Sequence, residues 1–357
     1  MPFDPIPSSW SGATRSARAG DRAVGFWLLG VAVMVLIMVA LGGATRLTGS
    51  GLSIMEWRPL TGWLPPLSEA EWQRLFDLYR TIPQYAAVNA GMDLAGFKDI
   101  FWLEYLHRLW GKLIGVAFVA GLVTLALAGK LRRGLMPRLL LLFALGALQG
   151  FLGWFMVASG FFPHRTAVSP YRLVIHLGMA FLIFALLLWI ALGLLRPAPR
   201  AVSVRLRRSV IATGALALLT MLAGGFVAGS RAGFVYNTFP LMDGHLVPAG
   251  YGALDPWVLN LFESIPAVQF NHRLLATLTL AAALWLAVLA WRERATPAGR
   301  AGLLLAAMVG AQYVLGVATL LYVVPVGLGT LHQTVAVVLL AAFVHALDRL
   351  RGRSAPA

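Results

Sequence analysis

The sequence predicts an all-α integral membrane protein, with eight transmembrane helices forming two pseudo-symmetric four-helix bundles. Three observations carry that expectation. The 357 residues are 59% apolar and only 12% charged, a balance foreign to a water-soluble domain of this size. The apolar residues gather into eight runs, each close to the roughly 20 residues that cross a bilayer core of about 30 Å. Landmarks in the first four runs also recur, in order, in the last four. Lipid offers no partner to backbone N–H and C=O groups, so such runs must be helices or a closed barrel. Their length and lack of strict alternation favour helices.

The first run, 24–44, follows a polar stretch containing Asp4 and Asp21 and reads as a mature span behind a tail, 1–23. A long outer loop, 45–101, comes next. Within it Ser68 followed by Glu71 fits a capping box, and Trp72, Leu75, Phe76 and Tyr79 recur at helical spacing, which predicts a short amphipathic helix. Runs 102–128, 139–158 and 173–195 complete an N-terminal half, 24–200. The C-terminal half, 201–347, begins with run 209–228. Its outer loop, 229–266, is rich in Gly, Pro and aromatic residues and is expected to be ordered mainly by packing. Runs 267–291, 301–322 and 326–347 follow, then a short tail, 348–357. Trp57, Trp63, Trp102 and Trp257 fall on the outer side, where an interfacial aromatic belt is expected.

A net charge of +15 would suit nucleic acid, but its distribution points to a membrane. The termini and the loops on their side hold 18 Lys and Arg residues; the opposite loops hold 8, although they are longer. That bias assigns both termini to the cytoplasm, in a multi-pass inner-membrane protein that contacts anionic lipid. Most acids lie on the other side. Cysteine is absent, which removes disulfides, thiolate catalysis and Cys-ligated metals.

The internal duplication is explicit. Leu41-Gly42-Gly43-Ala44 corresponds to Leu222-Ala223-Gly224-Gly225, and Glu104-Tyr105-Leu106-His107-Arg108 to Gln269-Phe270-Asn271-His272-Arg273. Gln149-Gly150-Phe151-Leu152-Gly153 corresponds to Gln312-Tyr313-Val314-Leu315-Gly316, and Val174-Ile175-His176 to Thr330-Leu331-His332. Four spans per repeat is an even number, so both halves keep one orientation, related by an axis along the membrane normal.

His107, His176, His272 and His332 each lie near the outer end of an alternate span. Polar groups at that depth are costly and usually functional. Two well-separated His on two helices of one half suit axial ligation of a porphyrin iron from opposite faces. A zinc site would need three or four converging ligands. Gly111, Gly115, Gly153 and Gly178 could admit a flat macrocycle close to the backbone. His164, His245 and His345 lie elsewhere. The halves differ at one telling position: Glu104, three residues before His107, is an ionisable group, whereas its counterpart Gln269 is not. Either Glu104 is a hydrated or Arg-paired interfacial charge, or it moves protons beside a reacting ligand. Arg46, Arg108 and Arg273 are candidate contacts for heme propionates.

At these residues the chain resembles the heme A synthase family. The likeness spans essentially the whole chain and rests on the stretch 42–53 with its Thr45-Arg46-Leu47-Thr48, on Glu104 to Arg108, on Asn237 to Gly244, on Asn271-His272-Arg273 and on Leu331-His332-Gln333. The absence of cysteine likens it to the proteobacterial and mitochondrial subgroup. The resemblance implies oxidation of the ring methyl of heme O to a formyl group. It also implies a resident heme b on His272 and His332, a substrate site at His107 and His176, an essential Glu at Glu104, and heme O synthase as the partner delivering substrate. Two other classes stay open on residues alone. One is a diheme b-type cytochrome passing electrons from quinol; the other is a transporter, which the clustering of polar groups near one face argues against. The sequence names no electron donor or oxidant, and leaves room for a homo-oligomer.

Overall fold

The computed structural model describes residues 8–59, 61–196 and 203–351; the ends of the two predicted tails and the connection 197–202 lie outside these. Among the described residues, eight helices are long and apolar enough to cross a membrane. They are α1 (Ser8–Leu47), α4 (Leu94–Leu127), α5 (Met136–Ala158), α6 (Pro170–Leu195), α7 (Val204–Gly229), α8 (Ile265–Arg292), α9 (Pro297–Leu321) and α10 (Val326–Arg349). Two short helices, α2 (Glu69–Tyr79) and α3 (Pro83–Val88), sit in the first outer loop. The predicted runs fall inside these helices, except that 102–128 and 301–322 each end one residue past the helix, and α1 and α4 begin well before their runs. The first span is Ala19–Leu47, and α1 is already helical from Ser8, within what the sequence suggested as a tail. Helix α4 begins at Leu94, eight residues before the apolar run, because its first turns bury Phe97 and Phe101 against the outer loop rather than lipid.

Local chemistry explains the ends. Ser68 Oγ accepts from Glu71 N and caps α2, which buries Trp72, Leu75, Phe76 and Tyr79, the residues the spacing picked out. Asp93 caps α4 through Gly96 N, Ser203 caps α7 through Leu206 N, and Thr296 caps α9 through Gly299 N. Proline in the first turn starts α5, α6, α8 and α9, where its missing N–H costs nothing.

Helix α1 packs on α4 and α6, and α5 on α6; in the second half α7 packs on α8, α8 on α9 and α9 on α10. The halves meet through α1 and α6 on one side and α7 and α10 on the other, an arrangement compatible with two repeated four-helix bundles. The first apolar core accordingly draws Val337, Leu340 and Val344 from α10. The second runs through Leu206, Val210, Leu286 and Leu305. A third, aromatic core in the outer loop stacks Trp72, Phe76, Tyr79, Phe97 and Phe101 over the end of α4. The second outer loop has no long helix. It is held by short 3-10 turns, by buried Met242 and by buried Asn260, whose amide binds both N and O of Leu254. Trp57, Trp63, Trp102 and Trp257 are all exposed on this side, as an interfacial belt requires.

Candidate heme sites

Each of the four histidines is seated in the same way. His107 on α4 faces Gly42 on α1, and His176 on α6 faces Gly153 on α5. His272 on α8 faces Gly224 on α7, and His332 on α10 faces Gly316 on α9. A Cβ on any of these glycines would come within 2.9–3.0 Å of the imidazole Cε1, closer than real side chains approach. Four glycine-to-imidazole seats on four consecutive helix pairs make one module used four times. The histidines are also grouped in pairs: the charge of His176 is felt at His107, and that of His272 at His332. Among the described residues no three His, Asp or Glu converge as a bare metal ion would need. Two imidazoles on two helices of each half suit an iron whose four equatorial ligands come from a macrocycle.

The backbone beneath two of the rings is braced identically. Gln149 Nε2 donates to His176 O (3.1 Å) and Gln312 Nε2 to His332 O (2.9 Å). In the sequence Gln149 and Gln312 stand out only as landmarks of the duplication. Their function, with that of Gly42, Gly224 and Gly316, emerges from the packing. Of the four glycines expected to admit a macrocycle, Gly153 seats His176, Gly111 meets Met38 and Gly178 meets Leu222, while Gly115 faces open space.

The second glycine of each pair joins the halves. Gly43 packs against Gln333, the residue after His332, and Gln333 Nε2 donates to Val39 O on α1 (2.9 Å). Gly225 packs against Val174 and, more loosely, Leu177, the residue after His176. One glycine of each pair therefore touches a histidine of its own half, and its neighbour touches the segment bearing a histidine of the other.

The halves differ at Nδ1. His272 Nδ1 lies 3.1 Å from Thr220 O, and His332 Nδ1 lies 3.2 Å from Gln312 Nε2. In the first half Nδ1 of both His107 and His176 is buried without a partner. An Nδ1–H bonded to a carbonyl fixes the tautomer and leaves Nε2 free to ligate a metal. His272 is thus oriented in this way; His332 Nδ1 instead faces the Gln312 amide N–H and accepts from it, which steadies the ring but favours the other tautomer.

Glu104 is buried, and both its oxygens are engaged. Oε2 accepts from Ser53 Oγ (2.7 Å) and Ile54 N (2.8 Å); Oε1 accepts from Arg108 Nη2 (2.6 Å) and Nε (3.1 Å). Arg108 also donates to Ile54 O (2.5 Å) and Glu56 O (2.9 Å), so every guanidinium nitrogen is hydrogen-bonded within the protein. Gln269 Nε2 instead donates to Ala232 O (3.0 Å) and Tyr236 O (3.1 Å), while Arg273 reaches Tyr236 O and Thr238 O. Arg46 crosses from α1 to Ala228 O at the end of α7. Arg46 and Arg273 each retain a buried Nε without a partner. His164 and His245 stay in the outer loops. His345 lies at the far end of α10, 2.5 Å from Arg196.

Residues 25–344 match the model of the family described as cytochrome oxidase assembly protein. Among curated relatives, a protein named heme A synthase from Granulibacter bethesdensis is 55% identical over 96% of this chain and 91% of its own length. Another of that name, from Rhodospirillum centenum, is 51% identical over 97% and 93%. A third, from Parvibaculum lavamentivorans, is 47% identical over 95% and 97%. With so much of the chain matched at such identity, this multi-pass membrane protein belongs to the cytochrome oxidase assembly protein family.

Proposed function

We propose that this chain is an oxidoreductase that converts heme O to heme A, binding heme O between His107 and His176 in the N-terminal half, 24–200. Heme b would be the resident cofactor, held by His272 and His332 in the C-terminal half, 201–347. The observation that carries the reading is the fourfold glycine-seated histidine, which puts two imidazoles from two helices within electrostatic range of each other in each half. The residues fit that cofactor: the second-half rings are seated on Gly224 and Gly316, and each has Nδ1 within hydrogen-bonding distance of a neighbour. When bound, heme b supplies one-electron transfer. The relatives named heme A synthase support the product. The less tethered rings of His107 and His176 support exchange of a ligand that must enter as substrate and leave as product.

In this reading the substrate methyl is hydroxylated twice, an external oxidant taking up the four electrons released, and the resulting gem-diol loses water to leave the aldehyde. Gln149 and the Gly42 and Gly153 seats hold the ligand-bearing segments. Arg46 and Arg273, each with a free buried Nε, meet propionate oxygens; Arg108 instead braces the 54–56 segment over the site. Glu104 works beside the substrate site through Ser53, whose hydroxyl is bonded to Oε2 and can relay a proton. Both termini face the cytoplasm in the inner membrane, and heme O synthase is the partner delivering substrate.

The Glu104→Gln variant, purified from membranes, tests this. The second-half heme spectrum is expected to persist while extracted porphyrin stops at heme O or the alcohol; undiminished heme A refutes the role of Glu104. The diheme electron carrier is the rival reading. Purified wild-type protein that yields heme b alone, from cells making heme O, would favour it.

A further inference from the structure

On the side carrying both termini, the start of α9 and the end of α10 enclose a cleft of ≈ 330 Å³ lined by Pro297, Arg300, Ala301, Leu304, His345 and Arg349. None of these residues takes part in the heme sites. The nearby acid, Asp348, is buried and already engaged: it pairs with Arg351 Nε (3.2 Å) and lies 4.0 Å from Arg196 Nη1, although its charge also reaches His345. Arg351 is further tied down over the Trp189 ring and to Trp189 O. Arg196 is spent on His345 Nδ1. Arg300 and Arg349 have no ion pair among the described residues, yet both border the cleft, and the charge of Arg349 is felt at Arg196 and His345.

The placement of Arg300 is the informative part. A basic residue in the last turn of a helix, like Arg349, is favoured by the helix dipole. Arg300 lies in the first turn of α9, where that dipole repels a cation. An anion in the cleft would offset that repulsion and meet the second guanidinium, of Arg349, on the same cleft wall. One turn deeper on α9 the surface becomes apolar: Leu304 is 47% exposed and Val314, further along, 69%. A charged head therefore sits directly above a lipid-facing stripe.

We propose that this cleft is a binding site for the phosphate of an anionic phospholipid, its head group between Arg300 and Arg349 and an acyl chain along Leu304. The apolar floor and the position at the end of two spans favour a lipid over free phosphate, since basic pockets between spans on this side suit acidic head groups.

Native mass spectrometry of the full-length protein from nanodiscs of equal phosphatidylglycerol and phosphatidylcholine tests it. The wild type should retain phosphatidylglycerol preferentially. The Arg300→Gln/Arg349→Gln variant should lose that preference by roughly 25-fold, taking about a fivefold contribution per basic side chain near the surface. The matched Arg205→Gln/Arg208→Gln variant, on the same side but outside the cleft, controls for net charge and should keep it. Equal retention of the two lipids by the wild type, or equal losses in both variants, would overturn the proposal. So would displacement of the bound lipid by millimolar inorganic phosphate, which would mark a soluble-anion site.

Discussion

Above His107, the loop after α1 turns hydrogen-bond donors towards α4: the Ser53 hydroxyl and the Ile54 N–H both point at Glu104. Above His272, the loop after α7 turns acceptors towards α8: the carbonyls of Ala232 and Tyr236 both take hydrogen bonds from Gln269. The Arg one turn along each helix completes the brace in both halves, through Ile54 O and Glu56 O in one and Tyr236 O and Thr238 O in the other. Two copies of one architecture thus carry opposite polarity, and each loop matches its side chain. Glu104 and Gln269 are therefore not interchangeable isosteres. The difference is written into backbone orientation, so a carboxylate stays in the half assigned to substrate.

The severest way to break this match is Gln269→Glu. The new carboxylate would face the two carbonyl oxygens of Ala232 and Tyr236, with only the Arg273 Nη2 contact at 3.3 Å to offset them. An uncompensated buried charge costs on the order of 3–5 kcal/mol, so the variant should melt well below wild type by thermal unfolding followed at the heme absorbance. An unchanged melting temperature would mean the two loops are not matched in the way described. Glu104→Gln should cost less, about 1–3 kcal/mol, because Arg108, which loses its counter-charge, is only partly buried and keeps the Ile54 and Glu56 carbonyls.

The glycine seats sharpen the comparison further. Adding a methyl at Gly42 or Gly224 places it 2.9 Å from an imidazole Cε1, and overpacking of this kind typically costs about 1–3 kcal/mol. The His272 ring is tied to Thr220 O, whereas the Nδ1 of His107 has no partner. Gly224→Ala should therefore shift the axial-ligand signature in electron paramagnetic resonance more than Gly42→Ala, because the His107 ring can turn away without breaking a bond. Equal shifts would argue that both rings are held equally.

A milder probe is Gln333→Leu, which gives the α1–α10 contact the residue type that Leu177 supplies at the α6–α7 contact. Losing the bond to Val39 O should cost about 1 kcal/mol, because Val39 O lies within α1, where the helix supplies its own donor. The variant should stay folded with both sites intact, as optical spectra would report. Loss of either site would show that this hydrogen bond, and not the packing on Gly43, fixes the two halves.

Much of this was legible in the sequence, for identifiable reasons. The eight spans follow from hydropathy alone, and the α2 cap and its buried face follow from Ser68, Glu71 and the aromatic spacing. The four histidines stood out because intramembrane imidazoles are rare and these are duplicated. What the sequence hid was three-dimensional. Nothing in Gly42 or Gly316 announces which side chain it faces. Arg108 looked free for a propionate because a residue beside His107 points about 100° away; the returning loop, not the helix, decides its partners. The donor and acceptor polarity of the two loops depends on backbone orientation, which composition does not encode.

The smallest expected effect concerns how the two outer loops answer to acid. The first is clasped by charge: Arg74 binds both oxygens of Glu56 (2.9 and 3.0 Å) and also Glu71, and Arg58 pairs with Glu56. Hydrogen bonds from Arg74, followed by its charge, hold both carboxyls below the usual carboxylate range. Because their folded values are depressed, the clasp contributes fully above the ordinary carboxylate range and is lost as pH falls through the lower folded values. In the second loop Asp243, Asp255 and Glu263 form no ion pair among the described residues, and Glu263 instead accepts from Tyr171. Glu56 also offers its backbone carbonyl to Arg108, so loosening its side chain slackens the brace above His107 and leaves that above His272 alone. Hydrogen exchange at pH 6 and at about pH 3, below the ordinary carboxylate range, corrected for intrinsic rates, should show protection lost at 53–59 and 61–80 and kept at 232–262. The exposed, screened character of these pairs keeps the effect modest, and high salt should reproduce it at neutral pH. Equal loss in both loops would show that the clasp is ornamental and that aromatic packing alone orders the first loop.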